Sequence, residues 1–336
     1  MAIRDGIPAL SRDIHGKPLI YLDNAATTPR PQAVLDTVLT YESQFPANVH
    51  RGVHTLSGEA THAYEDARRR IAAFFGGGEL VFTRGTTEAI NLVAGSWGET
   101  NLGAGDEVLI SALEHHANIV PWQLLCARRG CVLRVADVDD AGELHLDTVI
   151  DAMTDRTRLL AMTGVSNALG TVTPIAELCA TAKARGITTL VDGAQMVPHM
   201  PVDITAIGCD FFVFSGHKMY APTGIGGLLS SGAQLEAMPP WQGGGDMIRS
   251  VSFADSTWND VPWKFEAGTP NVGGTIGLGG AVDWLSGIGM DTIANRETAL
   301  LADMVTRLKS IDRVQLVGTP SHRAGAISFV IDGMHP

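Results

Sequence analysis

Positive charge is scarce in this chain of 336 residues: 24 Lys and Arg stand against 36 Asp and Glu, a formal net charge of −12. With no basic block anywhere, no nucleic-acid partner is expected. Cysteine is scarcer, with four residues at Cys126, Cys131, Cys179 and Cys209. They show neither a CxxC pair nor any metal-ligand spacing, which argues against a zinc site or a disulfide framework and suits a reducing cytoplasm. Long apolar runs are missing too. None approaches the ~18 residues of a membrane span, so no membrane association is expected. The opening MAIRDGIPALSRDIHGKP lacks the apolar centre of a signal peptide. Repeats and low-complexity tracts are absent. What is plentiful is core material, 45% hydrophobic against 18% charged residues, enough for one large globular domain and part of a second.

Strand and helix patterns alternate through the middle of the chain. Seven apolar segments read as strands, at 79–83, 107–111, 131–136, 158–163, 188–192, 210–214 and 225–230. Helical stretches between them predict an α/β fold with a seven-stranded, mostly parallel sheet and helices on both faces. Another short strand is expected at 19–22, and helices at 31–43, 57–75, 119–129, 174–185, 273–286 and 291–310. Ser57 is expected to cap the second helix, with Arg68, Arg69 and Arg70 on its wet face. The long glycine- and tryptophan-rich stretch at 241–271 reads as functional or interfacial. Short strands follow at 314–317 and 326–331. The expected domains are a large domain (21–272) and an α+β small domain made of an N-terminal segment (1–20) and an incomplete C-terminal part (273–336).

The chemistry-bearing residues fall just past the predicted strands, where ligands of open α/β sheets bind. In DFFVFSGHKMYAPTGIGG the apolar strand gives way to Ser215, Gly216, His217 and Lys218. A lysine so placed suits a Schiff base with pyridoxal 5′-phosphate (PLP), or is an ordinary surface lysine. PLP would also need an acid for its pyridinium nitrogen, an anion site for its phosphate and a flat group against its ring. Asp192, ending a buried strand in VDGAQ, could be the acid, or could cap the following turn. Gly85 and Thr86 open a helix after a strand, which favours a phosphate or is a plain threonine N-cap. His115 in EHHAN could lie flat on a ring or act in acid/base chemistry, and Asn167 sits in another edge loop. Arg51, between two histidines in HRGVHTLS, could bind an anion or simply be solvated. No HExxH or partnering cysteines accompany the paired histidines, so no metal is expected.

Taken together, YLDNAATTP, HRGVHTLS, RGTTEAINLVA, EHHANIVPW, VSNALGT, VDGAQ, FSGHKMYAPTGIG and FEAGTPN resemble, in order and over nearly the whole chain, the PLP-dependent cysteine desulfurases of the SufS/CsdA type. These enzymes belong to the class V aminotransferase-like group with the type I PLP-dependent transferase fold. The resemblance implies that Lys218 holds PLP and moves protons, Asp192 pairs with the pyridinium, His115 stacks on the ring and Gln195 approaches its hydroxyl. It implies that Thr86, Ser215 and His217 hold the phosphate, that Thr269 reaches the partner subunit's phosphate in a homodimer, and that Asn167 and Arg51 lie near the substrate. The implied reaction takes L-cysteine, or L-selenocysteine, to L-alanine. Sulfur passes through an enzyme persulfide to a SufE- or SufU-like acceptor protein for iron–sulfur assembly in the cytoplasm.

Two departures accompany the resemblance. The RTGxxC-like segment that carries the family's nucleophilic cysteine has no counterpart here, so the chain is expected to be C-terminally incomplete. Gly164 stands where the family often has histidine. All four resident cysteines read as packing residues rather than sulfur acceptors. The alternatives are a PLP-binding fragment that cannot transfer sulfur, or another class V enzyme: an aminotransferase, a lyase or a kynureninase-like hydrolase.

Overall fold

A computed structural model describes residues 3–335. All seven expected sheet strands form: β1 (Glu79–Thr83), β2 (Glu107–Ser111), β3 (Val132–Ala136), β4 (Thr157–Thr163), β5 (Thr188–Asp192), β6 (Phe211–Ser215) and β7 (Gly226–Ser230). Their order in the sheet is β1-β7-β6-β5-β4-β2-β3. β2 runs parallel to β3 and β4, and β4 parallel to β5, whereas β1 is antiparallel to β7. Strands inside such a sheet are covered on both faces and read as unbroken apolar runs. Accordingly all five residues of β6 are buried. The edge strand β3 is largely exposed and carries Arg134, a charge that discourages pairing with another chain.

The helices of eight residues or more are α1 (Gln32–Gln44), α2 (Thr55–Phe74), α3 (Thr86–Val93), α4 (Val120–Arg129), α5 (Ile175–Ala184), α6 (Val272–Ile288) and α7 (Met290–Lys309). Each matches a sequence-predicted helix within a few residues. None is long and apolar enough to cross a membrane among the described residues.

The chain forms two compact units. One comprises the chain up to Leu92 together with Val213–Ile288; the other comprises Val93–Phe212 and the chain from Gly289 onward. In the first unit α6 packs against both α1 and α2. Its glycines permit this, since a Cβ at Gly277 would lie 2.7 Å from Val38 and one at Gly279 3.0 Å from Ala67. The second unit holds the parallel strands β2 to β5 and an antiparallel hairpin of Val314–Val317 with Ser328–Ile331.

Three local expectations fail. Residues 19–22 form no strand, and Ile20 and Leu22 are 79% and 78% exposed. An apolar run becomes a strand only where another strand accepts its backbone groups, and none pairs with it among the described residues. Ser57 does not cap α2. His54 does, its Nδ1 accepting from the Ser57 N–H, while the buried Ser57 hydroxyl donates to the Asn48 carbonyl at 2.7 Å. Nor does Arg68 lie on the wet face of α2. It is buried in an ion pair with Glu266, and only Arg69 and Arg70 reach solvent.

Candidate active site

In the first unit, β6 ends at Ser215 and the chain turns sharply through Gly216–Lys218. Gly216 is required there, because a Cβ would lie 2.9 Å from the Ile225 carbonyl oxygen. The loop is held from the far end of the sequence. The His217 carbonyl accepts from the Thr28 N–H at 3.0 Å and from the Thr28 hydroxyl at 3.0 Å, and that hydroxyl also accepts from the Tyr220 N–H at 2.7 Å. Arg30 Nε donates to the Ala221 carbonyl at 3.0 Å. NAATTPR therefore acts as a clamp on the lysine loop, a role its small residues did not reveal. Burial lowers the His217 pKa, with the Lys218 and Arg30 charges adding to the shift.

Beside the lysine loop, α3 starts at Thr86, one residue past Gly85 with φ +150°. The Thr86 N–H donates to Ser215 Oγ at 2.9 Å, and the Ser215 hydroxyl donates to Thr86 Oγ1 at 2.9 Å. A Cβ on Gly226 would lie 2.7 Å from the Gly85 Cα, so the bare glycines bring these loops together. Thr86, Ser215 and His217 line one cavity of about 570 Å³. Glu88 also lines it but is engaged by the Arg84 N–H and guanidinium. Amide and hydroxyl donors at a helix N-terminus suit an anion.

In the second unit the sequence-predicted residues again follow strands. Asp192 ends β5, is buried, and accepts from the Ala194 N–H at 2.9 Å. Gln195 is buried in the turn that follows. Asn167 is half-buried in a tight turn closed by the Gly170 N–H on the Ser166 carbonyl at 2.9 Å. Gly164 lies against Met196, whose Sδ would be 1.9 Å from a Cβ there, so a histidine at 164 would displace that side chain. His115 Nδ1 accepts from the Ala117 N–H at 3.1 Å, which in the neutral ring leaves the proton on Nε2.

Sequence reasoning missed Glu114. Its carboxylate is fully enclosed and accepts from the Ser111 hydroxyl at 2.5 Å, Asn118 Nδ2 at 2.6 Å and the Thr163 N–H at 2.9 Å. It thereby ties the ends of β2 and β4 together immediately before His115. Burial raises its pKa, Asp192 adds to the rise, and the three donors oppose it, leaving a value of about 7. The folded carboxyl thus binds a proton more tightly than the unfolded one. Its contribution to stability is complete below the ordinary carboxylate range and disappears as pH rises through about 7. The expected result is a fall in urea-unfolding free energy between about pH 4.5 and 7 that is reduced in Glu114→Gln. Equal pH slopes for both proteins would refute it.

Arg51 and Thr269 lie apart from the anion cavity. Arg51 is ion-paired with Asp246 on a separate cavity of about 340 Å³. Thr269 lines one of about 470 Å³, which shares Arg84, Glu88, Trp241 and Gln242 with the anion cavity. Three of the four thiols are poor nucleophiles. Burial pushes Cys179 up to about 12, burial with the Cys131 contact does the same to Cys126, and burial raises Cys209 above its ordinary value. Cys131 is 7% exposed. Among the described residues no cluster of three His, Cys, Asp or Glu could hold a metal.

The aminotransferase class-V profile matches residues 20–336. A cysteine desulfurase of Cronobacter sakazakii is 50% identical over 337 aligned residues, 99% of this chain and 83% of that protein. The chain belongs to the class-V aminotransferase family, among its cysteine desulfurases. Solved structures agree. The apo cysteine desulfurase of Thermococcus onnurineus superimposes with a TM-score of 0.94 at 36% identity, over 99% of this chain and 82% of that one. The Escherichia coli desulfurase CsdA, in its S-sulfonic acid form, gives 0.89 at 35% identity with the same coverage. This is the PLP-dependent type I fold, and the family implies PLP as the cofactor. The residues present fit that group. The first unit offers the cavity lined by Thr86, Ser215 and His217 at a helix N-terminus, with Lys218 on the adjoining loop. The second offers a buried carboxylate at the end of a strand.

Proposed function

We propose that this desulfurase binds PLP and converts L-cysteine to L-alanine, handing the sulfur to a thiol. The observation that carries the reading is Lys218, presented by a clamped loop one residue from His217 on the donor-lined anion cavity. In this reading Thr86, Ser215 and His217 hold the phosphate, Asp192 pairs with the pyridinium nitrogen, Gln195 meets the ring hydroxyl and His115 covers the ring face. The cofactor, when bound, supplies an electron sink for the substrate's α carbon. Lys218 accepts and returns the proton at that carbon, and a buried carboxylate at Asp192 keeps its partner protonated. His115, with its proton on Nε2, can donate toward the substrate. Asn167 orients the substrate, and Arg51 is a candidate for its carboxylate once released from Asp246.

The sulfur step balances as a thiol plus L-cysteine giving a persulfide plus L-alanine, with no net oxidation. Because Cys126, Cys179 and Cys209 are held protonated, the accepting thiol is one other than these. A SufE- or SufU-like protein would be the onward acceptor for iron–sulfur assembly in the cytoplasm, and L-selenocysteine an alternative substrate. In this reading Thr269 reaches the phosphate site of the partner subunit in a homodimer. The test supplies L-cysteine, PLP and an added thiol and follows alanine and sulfide. Equal amounts of both are expected; keto acid in place of alanine would point to aminotransferase chemistry and overturn the reading.

A further inference from the structure

Cys126 and Cys131 lie outside the residues assigned to the reaction, yet they meet. Cys126 is in the last turn of α4, and Cys131 immediately precedes β3. Between them Gly130 ends the helix in the left-handed conformation, φ +73°, with its N–H on the Cys126 carbonyl at 2.8 Å. That termination reverses the chain and returns Cys131 beside Cys126. The two sulfurs are 2.8 Å apart, about 0.8 Å longer than a disulfide bond of ~2.05 Å. The buried Cys131 is shielded, while Cys126 is partly open to solvent. Both cysteines and the elements that carry them belong to the second unit.

We propose that Cys126 and Cys131 form an oxidisable pair that a hydroperoxide closes to an intrachain disulfide, stapling the end of α4 to the start of β3. The Cys126 sulfur attacks the peroxide, becomes a sulfenic acid and releases an alcohol, or water when the oxidant is hydrogen peroxide. The Cys131 sulfur then displaces the sulfenic oxygen as water. Two thiols are oxidised, one peroxide is reduced, and a second thiol or dithiol reductant reverses the change. Burial and the mutual contact push the Cys126 thiol up to about 12, so little thiolate exists at neutral pH. Closure is therefore slow there and quickens about tenfold per unit as pH rises toward that value.

The sequence supplies its own assay. Arg128 and Arg129 lie between the two cysteines, and the next basic residues outward are Arg84 and Arg134. Trypsin thus places Cys126 in peptide 85–128 and Cys131 in GCVLR, 130–134. The whole protein is treated with hydrogen peroxide at neutral and at alkaline pH, then alkylated under denaturing conditions and digested. The expected result is that the two peptides travel as one species lacking two hydrogens, part on reduction, and form faster at the higher pH. Neither Cys126→Ser nor Cys131→Ser should give that species. Three outcomes would overturn the proposal: Cys126 progressing to sulfinic acid with Cys131 still alkylatable, crosslinks that instead join Cys179 or Cys209, or both cysteines remaining fully alkylated.

Discussion

Lys218→Ala is expected to leave the protein folded but without the shifted absorbance band of lysine-linked PLP, and to cut alanine release from L-cysteine by about a thousandfold or more. The size follows from the two tasks proposed for one amine. It forms the covalent link that shifts the absorbance of bound PLP away from that of the free aldehyde, and it moves the proton at the substrate's α carbon, worth about 10²–10⁴ in rate by itself. The loop should survive, because its anchors are backbone groups: the His217 carbonyl on Thr28 and the Tyr220 N–H on the same hydroxyl. Absorbance titration with PLP and a timed alanine assay read the two effects separately. An unchanged visible band would remove Lys218 from its assigned role. A lost band with alanine release within about threefold would remove only the proton-transfer part.

The second large effect concerns stability. Arg68 donates to both oxygens of Glu266, at 2.7 and 2.9 Å, to the Leu80 carbonyl at 2.7 Å and to Glu65 at 2.9 Å. Its guanidinium lies 4.5 Å from the Phe82 ring centre. Glu266 in turn accepts from the Phe82 N–H at 2.7 Å and the Tyr64 hydroxyl at 3.3 Å. Burial would lift the Glu65 pKa, but hydrogen bonds from His50 and Arg68 outweigh it and hold it at about 2. Arg68→Met strands the Glu266 charge in the interior and should cost about 3–5 kcal/mol. Adding Glu266→Leu should recover part of that loss, though not all, because the Phe82 N–H is then unpaired at a cost of about 1–3 kcal/mol. Urea unfolding of the three proteins decides it. A single variant within about 1 kcal/mol of the parent would show that water reaches the pair.

Arg68 also shows where a sequence stops being legible. Three consecutive arginines invite a solvated reading. Yet Arg68 falls on the stripe of Ala60, Tyr64, Ala67 and Ile71, whose spacing marks the buried side of α2. The signal was present; its partner was not, since Glu266 lies 198 residues away in FEAGTPN. The sheet was legible because its strands are continuous apolar runs ending in polar, glycine-rich turns, and the positions of Thr86, Asp192, Ser215 and Lys218 followed from those strand ends. Glu114 was hidden because its three donors come from two strand ends and a turn of helix, which only folding assembles. Ser57 and His54 compete for one cap, and local preference chose the residue that tertiary contact with Asn48 then took. Residues 19–22 have the hydropathy of a strand without a neighbour to complete it.

The clamp of Thr28 on the lysine loop has a consequence for the order of events on the ribosome. Its two halves are 189 residues apart, and the whole of Val93–Phe212 is translated between them. At about 5–20 residues per second the amino-terminal half waits roughly 10–40 s for its counterpart. During that interval the parallel strands of the intervening unit can already pair with one another. Thr28 and Arg30 can then fasten the lysine loop only once His217 and Ala221 have emerged. Capture of a small molecule at Lys218 therefore follows translation of the whole intervening unit, and until then Thr28 and Arg30 stay without the carbonyls they will bind.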